Sequence, residues 1–172
     1  MNHLSVDTIL SYTIFAGLLS IIYGYFTGKK ILNSNPGNKK MQEIAQAIQI
    51  GARAYLNRQY KTIAIVGFVV LIIIIYFFSI LVGLGYLIGA TLSGLAGYVG
   101  MLVSVHANVR TAEASRKGLS EGLSIAFKSG AVTGLLVAGL ALLSISVYYY
   151  ILIKFNINER ELINALIALG FG

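Results

Sequence analysis

Residues 62–81, "TIAIVGFVVLIIIIYFFSIL", carry no charge over their whole length, and this stretch decides the architecture. An α-helix rises about 1.5 Å per residue, so a segment of this length matches the roughly 30 Å hydrocarbon core of a bilayer. In lipid no water satisfies a free backbone N–H or C=O, so such a segment crosses as a helix whose hydrogen bonds are all internal. Composition points the same way. Of 172 residues, 57% are hydrophobic and only 11% charged, against about a quarter charged in soluble domains.

Working outward, three more blocks have the same character: about 9–27, 86–105 and 131–153. The first is not read as a cleaved leader. It lacks a basic start, Asp7 precedes it, and Lys29 with Lys30 follows where a small-residue cleavage site would stand. The segment 28–61 carries Lys29, Lys30, Lys39, Lys40, Arg53, Arg58 and Lys61, and the segment 106–130 carries Arg110, Arg116, Lys117 and Lys128. Cations beside spans mark the cytoplasmic side. The N-terminus, an uncharged turn at "LVGLG" (81–85) and the loop from Lys154 to Glu161 are therefore expected outside. Tyr23, Tyr25 and Phe26, Tyr76 to Phe78, and Tyr148 to Tyr150 fall at span ends, as an interfacial belt or as packing rings. After Glu161 the apolar pattern resumes over 162–172, too short to cross, and is expected to open a truncated fifth span. The expectation is an all-α polytopic membrane protein, with 1–172 forming the N-terminal part of one multi-span domain.

Much chemistry is excluded by residue type. The chain has no cysteine and two histidines, His3 and His106, so neither a thiolate nor a histidine metal cluster is available. The net charge of +7 is dispersed beside the spans and reads as membrane topology, not nucleic-acid binding. No Asp, Glu, Lys, Arg or His lies inside any of the four blocks, so these spans hold no proton relay. Glu113 and Glu121 are read as solvated or paired with nearby cations, not as metal ligands. No residue is assigned to catalysis, cofactor binding or metal.

The spans do advertise packing. Gly85, Gly89, Ser93 and Gly97 recur every four residues, and Gly130, Gly134 and Ala138 repeat the pattern in the fourth block. Small side chains at this spacing let a neighbouring helix approach closely. Upstream of the second block, Met41, Ile44, Ala45, Ile48, Ala52, Tyr55 and Leu56 share one helical face. The turn-forming "NSNPGNKK" (33–40) separates this amphipathic helix from the first span, and the helix is expected to run straight into the second. Arg53, Arg58, Lys61 and Arg110 are the candidate cytoplasmic-interface residues. A basic apron of this kind orients helices in lipid and packs subunits, or attracts an anionic substrate or lipid.

Three segments carry a resemblance: "MQEIAQAIQIGARAYLNRQYKTIAIVG" (41–67), "YLIGATLSGLAGYVGMLVSVHANVRTA" (86–112) and "FKSGAVTGLLVAGLALLS" (127–144). In this order they resemble the N-terminal region of the membrane-integral, ion-pumping inorganic pyrophosphatases, and "ALIALGFG" (165–172) resembles the opening of that family's fifth span. The resemblance implies a larger helical bundle in a prokaryotic inner membrane, assembled as a homodimer. It implies hydrolysis of magnesium-bound pyrophosphate coupled to export of H+, or of Na+ in the alternative. The Mg2+ and pyrophosphate ligands, in Asp-rich segments, would lie outside this chain, whose spans would belong to an outer supporting ring and be inactive alone. The style of the fourth span is closest to proton-pumping, potassium-independent members. Two positions depart from the family pattern: Ile50 stands where glutamate is usual and His106 where arginine is usual. Readings from other classes are a small four-helix membrane transporter and a membrane adaptor.

Overall fold

A computed structural model describes residues 5–172; His3 lies outside the described residues. Five helices follow one another: α1 (Val6–Leu32), α2 (Lys39–Phe77), α3 (Ile80–Ser115), α4 (Leu119–Lys154) and α5 (Glu159–Phe171). The described residues contain no strand. The first four helices are long and apolar enough to cross a membrane.

The boundaries follow from local side-chain chemistry. Ser5 caps α1, its hydroxyl accepting the Thr8 N–H at 3.3 Å. Between α1 and α2 the Asn35 side chain accepts the Gly37 N–H at 2.9 Å, and Gly37 turns the chain at φ 83°, where a Cβ is unwelcome. Asn38 then caps α2, accepting the Met41 N–H at 3.0 Å. From there α2 is one rod of 39 residues, joining the amphipathic stretch to the apolar block without a break.

The turn into α3 lies at Phe78–Ser79, earlier than the glycine-rich 81–85 where the sequence suggested it. Ser79 is the reason: its hydroxyl accepts the Val82 N–H at 3.3 Å and opens the new helix. Gly83 and Gly85 sit inside the first turns of α3 and serve packing, with Gly83 against Ile75 across the hairpin.

The end of α4 is a Schellman motif. Asn156 takes φ 53°, its N–H donates to the Ile153 carbonyl at 2.9 Å, and the Ile157 N–H donates to the Leu152 carbonyl at 3.2 Å. Ile157 packs against the cluster that contains buried Leu152. Asn158 caps α5 by accepting the Glu161 N–H at 2.9 Å, and Glu159 with Glu161 faces the positive end of the helix.

Packing joins α1 to α4, α4 to α3 and α3 to α2, with α5 against α3 and α4. Helix α2 touches α3 alone. On α1 the buried residues Leu10, Gly17, Gly24 and Ile31 repeat every seventh position, and so do Val132, Gly139 and Ser146 on antiparallel α4. Sevenfold spacing is that of shallow, left-handed helix packing. A Cβ at Gly17 would stand 3.0 Å from the Gly139 carbonyl oxygen, and one at Gly139 would stand 2.9 Å from that of Gly17. Nearby, the hydroxyls of Thr13 and Ser146 share a hydrogen bond of 2.8 Å. Gly100 of α3 makes room for Thr133 of α4, and the Tyr148 hydroxyl donates to the Leu81 carbonyl. Buried side chains gather in two clusters, one of Val82, Tyr148, Leu152, Ala165, Ala168 and Leu169, the other of Ile31, Ala107 and Val132.

Two substitutions test this packing through the thermal stability of the full-length protein in detergent. Gly89→Ala would place a methyl on the Leu169 carbonyl, and backbone cannot swing aside as a side chain can. We expect about 1–3 kcal/mol of destabilisation, whereas Gly51→Ala, whose Cβ meets nothing within 4 Å, costs nothing. At the Schellman turn Asn156→Gly is expected to be neutral or stabilising and Asn156→Val to destabilise by about 1–2 kcal/mol. Equal melting temperatures across either pair would contradict the assignment.

Candidate functional site

The polar residues meet where the end of α1, the last turns of α3 and the start of α4 converge. Arg110 organises this junction from α3. Its Nε and Nη2 donate to the Leu32 carbonyl at 3.1 and 2.6 Å, and Nη1 donates to the His106 carbonyl at 2.7 Å. Leu32 is the last residue of α1, and a carbonyl there has no partner within its own helix. The guanidinium supplies that partner and sets positive charge at the negative end of the helix dipole, beside Lys29 and Lys30 in the last turn. Burial lowers the Arg110 pKa from its ordinary value, yet guanidinium remains charged. His106 is held in place by Nδ1, 2.7 Å from the Leu102 carbonyl.

Glu113 pairs with Arg116, Oε2 to Nη1 at 3.0 Å, the only ion pair among the described residues. A cleft of about 430 Å³ opens here between Ser34, Asn35, Arg110, Glu113, Lys117 and Glu121. Its charges are of both signs, and one carboxylate is already engaged. Among the described residues no group of three or more His, Asp or Glu side chains converges as a metal site would require. The residues present do not fit magnesium, which seeks carboxylate ligands in octahedral geometry. Chemically, the junction is equipped to cap and fasten helices.

A second, apolar groove of about 230 Å³ lies between Met41, Ile44, Ala45 and Ile48 of α2 and Val105, Val109 and Ala112 of α3. The amphipathic face read from the sequence therefore turns toward the extension of α3 beyond the apolar block. Ile50 is 63% exposed on the other side.

Arg53, Arg58 and Lys61 are exposed along α2. They do not join Arg110, whose guanidinium is directed to the end of α1, a helix that α2 does not touch. The four-residue ladder on α3 is shared between two neighbours. Gly85 and Gly89 are buried against Ala165 and Leu169 of α5, a Cβ at Gly97 would lie 2.7 Å from the Tyr60 hydroxyl of α2, and Ser93 is exposed. Gly130, Gly134 and Ala138 lie on an exposed side of α4, and a Cβ at either glycine meets nothing within 4 Å. Among the aromatic groups, Tyr148 is buried while Tyr76, Phe77 and Phe78 are exposed.

Gly17, Gly24, Gly100 and Gly139 were not singled out by the four-residue spacing. The signal that finds Gly17, Gly24 and Gly139 is the matched seven-residue period on two blocks. Arg110 was singled out as an interface cation, but its partner at Leu32 is a backbone carbonyl far away in sequence, which no pattern reveals.

Comparison with known proteins supplies the context. A family model described as "Inorganic H+ pyrophosphatase" matches residues 18–172. The chain is 48% identical over 136 residues to a K(+)-insensitive pyrophosphate-energized proton pump of Methanosarcina mazei, covering 78% of this chain and 20% of that protein. It is 40% identical over 154 residues to a putative K(+)-stimulated pyrophosphate-energized sodium pump of Bacteroides thetaiotaomicron, covering 86% and 21%. A K(+)-insensitive pyrophosphate-energized proton pump of Pyrobaculum aerophilum is 37% identical over 163 residues, covering 91% and 22%. The chain thus spans about a fifth of the length of the curated relatives it matches. With its charge-free spans, its helix-capping junction and a family match over nearly its whole length, the chain belongs to the inorganic H+ pyrophosphatase family.

Proposed function

We propose that this chain contributes scaffold helices to a pyrophosphate-energised proton pump, which hydrolyses pyrophosphate with Mg2+ and moves H+ across a prokaryotic cell membrane. The observation that carries the reading is the 48% identity to a proton pump over most of the chain. The side chains fit a supporting role: no Asp, Glu, Lys, Arg or His lies within 9–27, 62–81, 86–105 or 131–153. The described residues do not fit magnesium, so no step of the hydrolysis is assigned to them. The cation distribution supports an orientation with the N-terminus outside and 28–61 and 106–130 in the cytoplasm. A homodimer is the assembly proposed, and Gly130, Gly134 and Ala138 are proposed as a packing face for helices beyond this chain. The free-standing transporter lacks support, since a transporter needs a charged or polar path through its spans.

The sodium-pumping alternative draws on the 40% identity to a protein of that name. Full-length protein in sealed vesicles separates the two. Pyrophosphate with Mg2+ should acidify the lumen without added Na+, and a protonophore should collapse the gradient. Accumulation of 22Na+ that survives the protonophore would overturn the proton reading.

The scaffold role has its own test. Arg110→Gln leaves the α1 carbonyl end short of its charged partner, so the melting temperature should fall by several degrees while the KM for pyrophosphate stays unchanged. A raised KM at unchanged melting temperature would make Arg110 part of the substrate path.

A further inference from the structure

The outward face of α2 differs in kind from the exposed small-residue side of α4. Gly67, Val70, Leu71 and Ile74 are its less exposed positions toward α3, and on the opposite side Ile65, Val69, Ile72 and Tyr76 are exposed at spacings of three and four. This stripe is β-branched and bulky. The exposed Gly130, Gly134 and Ala138 side of α4 is small instead, the composition with which helices receive other helices. A bulky apolar stripe offers no such close approach and is suited to acyl chains.

The same stripe continues upward into Arg58 and Lys61, both exposed, at the point where the apolar block begins. At the far end it reaches Tyr76, 82% exposed. Cations at one end and an aromatic ring at the other are the residues that anchor a helix at the two interfaces of a bilayer. Between Glu43 and Glu113 the sequence contains no acidic residue, and neither cation has an ion pair among the described residues. The positive charge at this end of α2 therefore has no counterion on α3, the one helix it touches. Their flexible stems reach along the apolar surface and hold the charged heads at headgroup depth.

We infer that Arg58 and Lys61 form a headgroup site for an anionic phospholipid whose acyl chains lie along Ile65, Val69 and Ile72. Each cation near an anionic surface favours it by about fivefold, so the pair should enrich a phosphatidylglycerol over phosphatidylcholine well above the bulk ratio. The inference rests on α2 being a membrane helix and does not depend on pyrophosphate turnover.

The test places a photoreactive benzoylphenylalanine at Ile65 in the full-length protein, in nanodiscs of equal phosphatidylglycerol and phosphatidylcholine. Mass spectrometry of the cross-linked product should find a phospholipid adduct, with phosphatidylglycerol over phosphatidylcholine by at least about fivefold. The charge-conserving pair Arg58→Lys and Lys61→Arg should keep the preference, and Arg58→Gln with Lys61→Gln should bring the ratio to one. A peptide adduct at position 65 would overturn the lipid assignment in favour of another helix. A lipid adduct at the bulk ratio in the protein that keeps Arg58 and Lys61 would overturn the headgroup site, even where the glutamine variant fails to fold.

Discussion

The contact on which the rest of the structure depends is the close approach of two backbones where Gly17 meets Gly139. Each glycine would place a Cβ within about 3 Å of the other's carbonyl oxygen. In a bilayer, lipid tails are as apolar as leucine, so no hydrophobic effect drives one helix onto another; association relies on close van der Waals fit and shared hydrogen bonds. With α1 seated on α4 at this distance, Thr13 reaches Ser146, and Ile31 reaches the cluster with Ala107 and Val132. The end of α1 then stands beside α3, where Arg110 closes its last carbonyl. The polar junction is thus a consequence of apolar packing several turns away.

A division of labour follows from side-chain size and charge. Glycine and alanine mark where helices touch, as at Gly85, Gly89 and Gly100. Isoleucine, valine and phenylalanine cover α2, which packs against one neighbour only. Charges also close helix ends, where Arg110 and Lys29 meet carbonyl termini and Glu159 and Glu161 meet amide termini. Such an arrangement gives rigidity and orientation.

Much of this was legible in the sequence because lipid leaves few choices. Length and charge alone located four spans, and the 3.6-residue rhythm of Met41 to Leu56 foretold a helix continuous with the second. The α2–α3 turn was misplaced because glycines at 83 and 85 resemble turn residues, whereas in a membrane helix they are contact points; the capping hydroxyl of Ser79 was the better guide. The small-residue pattern named helix faces without naming their partners. Gly85 and Gly97, twelve residues apart on one ladder, face different helices. Arg110 illustrates the remaining limit, since a side chain that serves a backbone carbonyl leaves no trace in residue types. Family resemblance reached further than any of these, because its segments are specific where composition is generic.

The register of α1 on α4 is the central claim, and paired cysteines in an otherwise cysteine-free background read it directly. With Thr13→Cys and Ser146→Cys introduced together in full-length protein in membranes, mild oxidation should form an intramolecular disulfide in high yield. Gly24→Cys with Gly134→Cys, a pair at matching depth, should form none, because a Cβ at Gly134 meets nothing within 4 Å. Cross-linking of the second pair in place of the first would show that α1 packs on α4 through the four-residue stripe, and the account of a seven-residue glycine seam would be wrong.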